Sequence, residues 1–256
     1  MTTLFHDIIF GPVRSRRLGL SLGVNLLPTE YKLCNFDCIY CECGWGEKGG
    51  RPRFNRREDV RRLLGEKLRE MIAGGAPPDV ITFAGNGEPT IHPEFPAIID
   101  DVIALRNEIS PASKISVLTN ATMIGQPEIR EALQRVEMNI AKLDSAFDET
   151  MRLMNNAQGN CSVAETVRNM KLFNGQIIIQ TMFLRGEYQG QHIDNTAPRE
   201  VDAWLKLVRE IAPQQVMIYT LDRDTPCKTL EKIPLDELRR IAARVETLGI
   251  PCSAAG

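Results

Sequence analysis

Four of the seven cysteines fall within ten residues, in Cys34-Asn-Phe-Asp-Cys38-Ile-Tyr-Cys41-Glu-Cys43. Intervals of three and two residues let three thiolates converge from one loop, and soft thiolates select zinc or iron–sulfur clusters. A structural zinc ion requires four closed ligands, for which Cys43 is the available fourth. The Cys41-Glu42-Cys43 spacing is strained for one tetrahedral ion. A four-iron cluster held by three cysteines instead leaves one iron without a protein ligand, open to a small chelating molecule. Cys161, Cys227 and Cys252 stand alone in the sequence. Cys227 and Cys252 are weak catalytic candidates, as hydrogen-atom donors or ligands of an auxiliary cluster; ordinary buried or surface thiols are the plainer reading. His6, His92 and His192 are too dispersed for a histidine metal site.

These cysteines need elements to hold them. From about residue 59 the chain alternates helical and strand patterns. Helices are expected at 59–73, 95–108, 127–134, 162–173, 198–211 and 235–248. Strands are expected at 79–84, 114–118, 136–143, 176–184 and 215–219, with a short one at 250–253, and the segment before Cys34 is taken to supply the first strand of the run. Such alternation implies a parallel sheet with crossover helices, and right-handed crossovers curl it into a barrel or part of one. The expected fold is α/β, a partial (β/α)6 TIM-type barrel, with its cofactor site at the C-terminal ends of the parallel strands. One domain is expected over 1–256, divided into an N-terminal extension (1–24), the partial barrel (25–249) and a tail (250–256).

Residues that follow the strands then become candidates. Gly85-Asn86-Gly87-Glu88-Pro89-Thr90 follows the second strand, where glycines allow close backbone approach to a ligand or form a simple turn. Thr119 and Asn120 follow the third. Lys142 and Asp144 end the fourth; a lysine in an apolar strand is costly unless it is paired or points to the mouth. Gln180 and Met182 lie on the fifth, and Tyr219 to Asp222 follow the sixth. Met182 and Met217 suit a core equally well.

The chain has 256 residues, 43% of them hydrophobic and 25% charged, enough for a real core. The absence of a long apolar run and of a basic leader excludes a membrane span and a secretory signal, so the cytoplasm is expected. Net charge is −2, but residues 1–62 carry 11 Lys/Arg against 7 Asp/Glu. Six arginines (Arg51, Arg53, Arg56, Arg57, Arg61 and Arg62) form either a solvated face or a phosphate-binding surface for an anionic substrate or RNA.

The cysteine triplet, with Tyr40 before its third member, resembles the signature of the radical S-adenosylmethionine (SAM) superfamily. The resemblance implies that Cys34, Cys38 and Cys41 hold a [4Fe–4S] cluster whose open iron is chelated by the amino and carboxylate groups of SAM. One electron then splits SAM to give a 5′-deoxyadenosyl radical, which abstracts hydrogen from a substrate. Gly85, Asn86, Gly87, Glu88 and Pro89 resemble the superfamily's glycine–glutamate segment, which meets the methionine ammonium. By the same likeness Tyr40 joins the cofactor residues, and Thr119 and Asn120 sit near methionine or ribose. Lys142 meets the SAM carboxylate, Asp144 meets ribose or substrate, and Gln180 and Tyr219 frame adenine.

Phe10-Gly-Pro-Val-Arg14-Ser-Arg16-Arg17-Leu-Gly19, continuing to Thr82-Phe-Ala-Gly-Asn-Gly-Glu-Pro-Thr90, is similar to the wyosine-synthase-like group, whose members build a tricyclic base on tRNA. The chain departs from that group because no cysteine precedes Cys34, so the likeness speaks to fold and cofactor rather than to substrate. The leading expectation is a radical SAM enzyme, fed by a reduced flavodoxin or ferredoxin, acting on an RNA base, a peptide or protein, or a metabolite. The alternatives are an activating enzyme that installs a glycyl radical in a protein partner and, from another class, a zinc-stabilised RNA-binding module.

Overall fold

A computed structural model describes residues 3–15, 18–46, 52–159 and 161–256. An antiparallel hairpin, β1 (Ile9–Ser15) and β2 (Gly19–Val24), opens the chain. Strand β2 then begins a parallel run through β3 (Val80–Phe83), β4 (Lys114–Thr119), β5 (Met138–Lys142), β6 (Ile178–Met182), β9 (Gln215–Tyr219) and β11 (Cys252–Ala255). The sheet order is β1-β2-β3-β4-β5-β6-β9-β11. Every residue of β3 and β6 is buried, as expected of parallel strands covered on both faces.

Helices α1 (Arg57–Ala73), α2 (Phe95–Ile109), α3 (Pro127–Gln134), α5 (Val163–Lys171), α6 (Pro198–Ile211) and α7 (Leu235–Glu246) occupy the crossovers. Proline opens α3 and α6, where its missing N–H costs nothing. Ser162 caps α5 by accepting from the Glu165 amide at 3.2 Å. The main core lies between these helices and the outer face of the sheet, with Phe83, Phe95, Phe173, Phe183 and Trp204 fully buried.

The expected fold class stands. The first parallel strand, expected before Cys34, is β2 at the end of 1–24, and the short strand expected at 250–253 is β11, the seventh of the parallel run. Three further features were not anticipated. Helix α4 (Asp148–Asn155) follows β5. Residues β7 (Leu184–Tyr188), β8 (Gln191–Asp194) and β10 (Leu230–Lys232) form a small antiparallel sheet beyond the carboxyl ends of β6 and β9. A second core packs under the cysteine loop, joining Phe36, Ile39, Tyr40, Met154, Leu184 and Ile193. Among the described residues no helix is long and apolar enough to cross a membrane.

Candidate metal and cofactor site

The cysteine loop leaves β2 and crosses the carboxyl ends of the strands. Its backbone is clamped on both sides. On one side, the Leu33 amide donates to the Asn86 carbonyl at 2.8 Å and the Glu88 amide donates back to the Leu33 carbonyl at 3.2 Å. On the other, the amides of Asp37 and Ile39 donate to the carbonyls of Asn155 and Met154, at 2.9 and 3.0 Å. Those carbonyls lie at the C-terminal end of α4, where helix geometry leaves acceptors free.

Cys34, Cys38 and Cys41 all line one cavity of about 340 Å³. Their sulfurs are surrounded by donors. Cys34 accepts from the Phe36 amide at 3.4 Å and from Asn120 Nδ2 at 3.7 Å, and Cys38 accepts from Asn155 Nδ2 at 3.5 Å. Buried Lys32 donates to Asp37 (2.9 Å) and to the Gly44 carbonyl (3.0 Å). Burial opposes its charge, but Cys41 and Asp37 outweigh that and hold it above the usual lysine range. Burial pushes the Cys34 thiol well up and Cys38 to about 11. A hydrogen bond from the Cys43 thiol, together with Lys32, holds Cys41 below the ordinary thiol range. Among the described residues no three potential ligands are grouped tightly enough to share a single metal ion; three soft donors lining one cavity, with N–H groups and cations nearby, fit instead an iron–sulfur cluster, which spreads its thiolates over several irons.

The remaining candidates divide into those that face the cavity and those that support it. Tyr40, Gly85, Gly87, Glu88, Thr119 and Asn120 line it, as do Lys142, Gln180 and Tyr219. Asn86, Pro89 and Asp144 do not. Asn86 ties the N-terminal segment down instead: its amide donates to the carbonyls of Phe5 and Pro28, and its Oδ1 accepts from the Phe5 amide. Glu88 is fully enclosed, and its carboxylate accepts from Thr90 N and Oγ1, Thr119 Oγ1 and Asn120 N. Burial raises its pKa despite those donors. The Glu88 carboxylate therefore holds the ends of β3 and β4 together as well as bordering the cavity.

Lys142 Nζ donates to Tyr40 Oη at 2.9 Å and stands 3.6 Å from Asp144 Oδ2. Burial works against its charge, while Asp144 and Tyr219 raise it above the usual range. The Asp144 side chain has no exposed surface. It accepts from Tyr40 Oη, Asn155 Nδ2 and the Met182 amide. Gln180 is 9% exposed, and among the described residues its side-chain amide has no protein partner.

Neither catalytic cysteine candidate reaches the cavity. Cys252 begins β11, opposite Val216 near the start of β9, at the end of the barrel away from the mouth. Cys227 lies on the mouth side, but its thiol faces the Glu187 carbonyl and Thr229 Oγ1. Cys43, in contrast, lines the cavity, with its thiol 3.4 Å from the Gly85 carbonyl. The arginine cluster is largely neutralised. Arg57 (2.6 Å) and Arg61 (2.7 Å) share Asp101, and Arg56 and Arg62 pair with Glu58, Asp59 and Glu66. Arg16, Arg17 and Arg51 lie outside the described residues. Sequence reasoning missed Lys32 and Asn155. The acidic start Asp148-Glu149 and the apolar pair Met151 and Met154 were the available signals for α4.

A partial α/β barrel with a three-thiolate loop over the carboxyl ends of its strands defines a class of cluster-dependent enzymes. The chain belongs to the Radical SAM superfamily, whose family model matches residues 31–197. That superfamily uses a [4Fe–4S] cluster and SAM. Among curated relatives, a UPF0026 protein of Helicobacter pylori is 27% identical over 94% of this chain and 74% of its own length. One of Synechocystis is 29% identical over 91% and 80%. A Brachyspira hyodysenteriae protein named GTPase Obg is 26% identical over 91% of this chain, which spans only 32% of that protein.

Solved structures agree on the fold. A radical SAM methyltransferase from Sphaerobacter thermophilus aligns with a TM-score of 0.69 at 16% identity, over 91% of this chain and 65% of the other. TYW1 with a lysine–pyruvate adduct aligns at 0.64 and 14%, over 89% and 73%. Streptococcus suis SuiB bound to its precursor peptide SuiA aligns at 0.64 and 16%, over 91% and 48%.

Proposed function

We propose that the chain holds a [4Fe–4S] cluster on Cys34, Cys38 and Cys41 and uses it to generate a radical from SAM that abstracts hydrogen from a substrate. The observation that carries this reading is the shared cavity: the three cysteines line it together with Gly85, Lys142 and Gln180. When bound, the cluster supplies the electron that breaks the sulfonium bond of SAM, giving a 5′-deoxyadenosyl radical.

The chain's own residues bind and orient. Lys142, held cationic by Asp144, meets the SAM carboxylate, and the Gly85 carbonyl accepts from its ammonium. The free Gln180 amide offers a donor and an acceptor to the nucleoside or to the substrate. A second cavity of about 300 Å³ reaches into the barrel and shares Ala84, Leu118 and Gln180 with the first. This bay supports a substrate whose reacting group enters the barrel, whether it belongs to a metabolite, a peptide or an RNA base. Arg14 lines this bay and suits an anionic portion of that substrate, whereas Arg223 there pairs with Glu42 at 2.8 Å. A flavodoxin or ferredoxin is the proposed electron donor, and the cytoplasm, where free thiols persist, is the proposed compartment.

Anaerobic reconstitution tests the reading. About four iron and four sulfide per chain, with SAM cleaved on reduction, is expected, and Cys38→Ala should abolish both in a chain that still folds. One zinc per chain with SAM left intact would overturn the proposal in favour of a zinc-stabilised module. Transfer of the radical to a glycine in a protein partner would instead identify an activating enzyme.

A further inference from the structure

Asn155 ends α4, and its side chain is buried at the back of the cysteine loop. The amide nitrogen faces three acceptors: Asp144 Oδ2 at 2.8 Å, Tyr40 Oη at 2.9 Å and Cys38 Sγ at 3.5 Å. Asp144 Oδ2 already accepts from Tyr40 Oη, so it meets the amide as an acceptor and fixes which end turns inward. The sulfur of Cys38 therefore meets an N–H rather than a carbonyl oxygen. Tyr40 Oη also accepts from Lys142 and donates to Asp144. Through these contacts Asn155 joins the second cysteine to the one lysine that lines the front of the cavity beside β5 and β6. The backbone carbonyl of the same residue receives the Asp37 amide, so the loop and the amide cannot move apart independently.

We infer that Asn155 is a positioning residue for the cluster: it aims an N–H at the Cys38 sulfur and raises the reduction potential of the cluster that Cys38 helps to hold. The inference rests on the proposed function, because it takes Cys38 as a ligand. Its physical basis is that reduction adds negative charge, part of which spreads onto the cysteine sulfurs. A fixed N–H dipole pointed at one of them stabilises the reduced form more than the oxidised form.

The test is a redox titration of the reconstituted holoprotein and of Asn155→Ala, with iron and sulfide measured on the same samples. The variant should load like wild type, yet be about tenfold less reduced at a fixed potential, which for one electron is about 59 mV. A site merely loosened by the substitution would admit water and raise the potential instead.

An unchanged or raised potential in a fully loaded Asn155→Ala protein overturns the inference. Asn155→Leu, closer in volume, provides a second variant if alanine prevents loading. Should neither load, the contact can be read without replacing Asn155. A hyperfine coupling to the reduced cluster should appear with asparagine-selective 15N labelling and survive Asn120→Ala, and its absence overturns the inference. Failure of the wild-type chain to bind any cluster would instead defeat the proposed function.

Discussion

Gly87 and Leu33 touch through their backbones: a Cβ on Gly87 would stand 1.8 Å from the Leu33 carbonyl oxygen. Gly87 also has φ +140°, a conformation that side chains rarely adopt. The glycine is therefore required by the protein's own cysteine loop, one residue before Cys34, as well as by any ligand. Gly87→Ala should lower stability by about 1–3 kcal/mol from the backbone conformation alone. It should also reduce iron bound per chain, because relief of the clash displaces Cys34. Thermal melting with iron analysis checks both, and a variant that loads normally would separate this contact from cluster binding.

Lys142 lines the cavity and is the proposed partner of the SAM carboxylate. Lys142→Met keeps the stem and removes the charge, so the cluster should still load. SAM affinity should fall about ten- to hundredfold, the range of a lost charge-assisted hydrogen bond of about 1.5–3 kcal/mol. Equilibrium dialysis of the loaded variant measures this, and unchanged affinity would remove Lys142 from the site.

Cys252→Ala should leave iron content and SAM cleavage at wild-type levels, because Cys252 stands at the opposite end of its strand from the cavity. Loss of cleavage in a folded variant would contradict that placement.

His92 gives the fold a pH dependence. Its Nδ1 accepts from the Glu94 amide and its Nε2 faces the Asn55 carbonyl. Burial holds its pKa below the ordinary 6.5, against the weaker upward pull of the Asn55 carbonyl and Glu94. Lowering the pH through 6.5 protonates the unfolded chain before the folded one. The contribution of His92 is therefore complete above 6.5 and declines below it. Urea midpoints measured between about pH 5 and 8 should show this loss in wild type and a shallower slope in His92→Gln.

Much of the fold was legible because apolar periodicity and helix punctuation agree along the crossovers. Helices α3 and α6 and strand β9 begin and end where the pattern places them. The exceptions have physical causes. Strand β2 reads as Gly-Leu-Ser-Leu-Gly-Val, too rich in glycine to stand out before its parallel partner is known. Helix α4 has only two turns, too short for a periodic signal. Its last residue, Asn155, meets Cys38 across 117 positions of chain, a juxtaposition that spacing cannot reveal.

For the site, residue type, position and the family resemblance singled out the three thiols and Lys142, and the structure places all four on one cavity. Asp144 was expected to meet ribose or substrate, and the structure adds partners that the sequence could not show: Tyr40, Asn155 and the Met182 amide. A carboxylate at a strand end looks the same in sequence whether it faces a sugar or a neighbouring helix.

The docking of α4 against the cysteine loop makes that helix a lever: with the Asp37 and Ile39 amides bonded to its last carbonyls, any shift of α4 passes directly to the segment that carries Cys38.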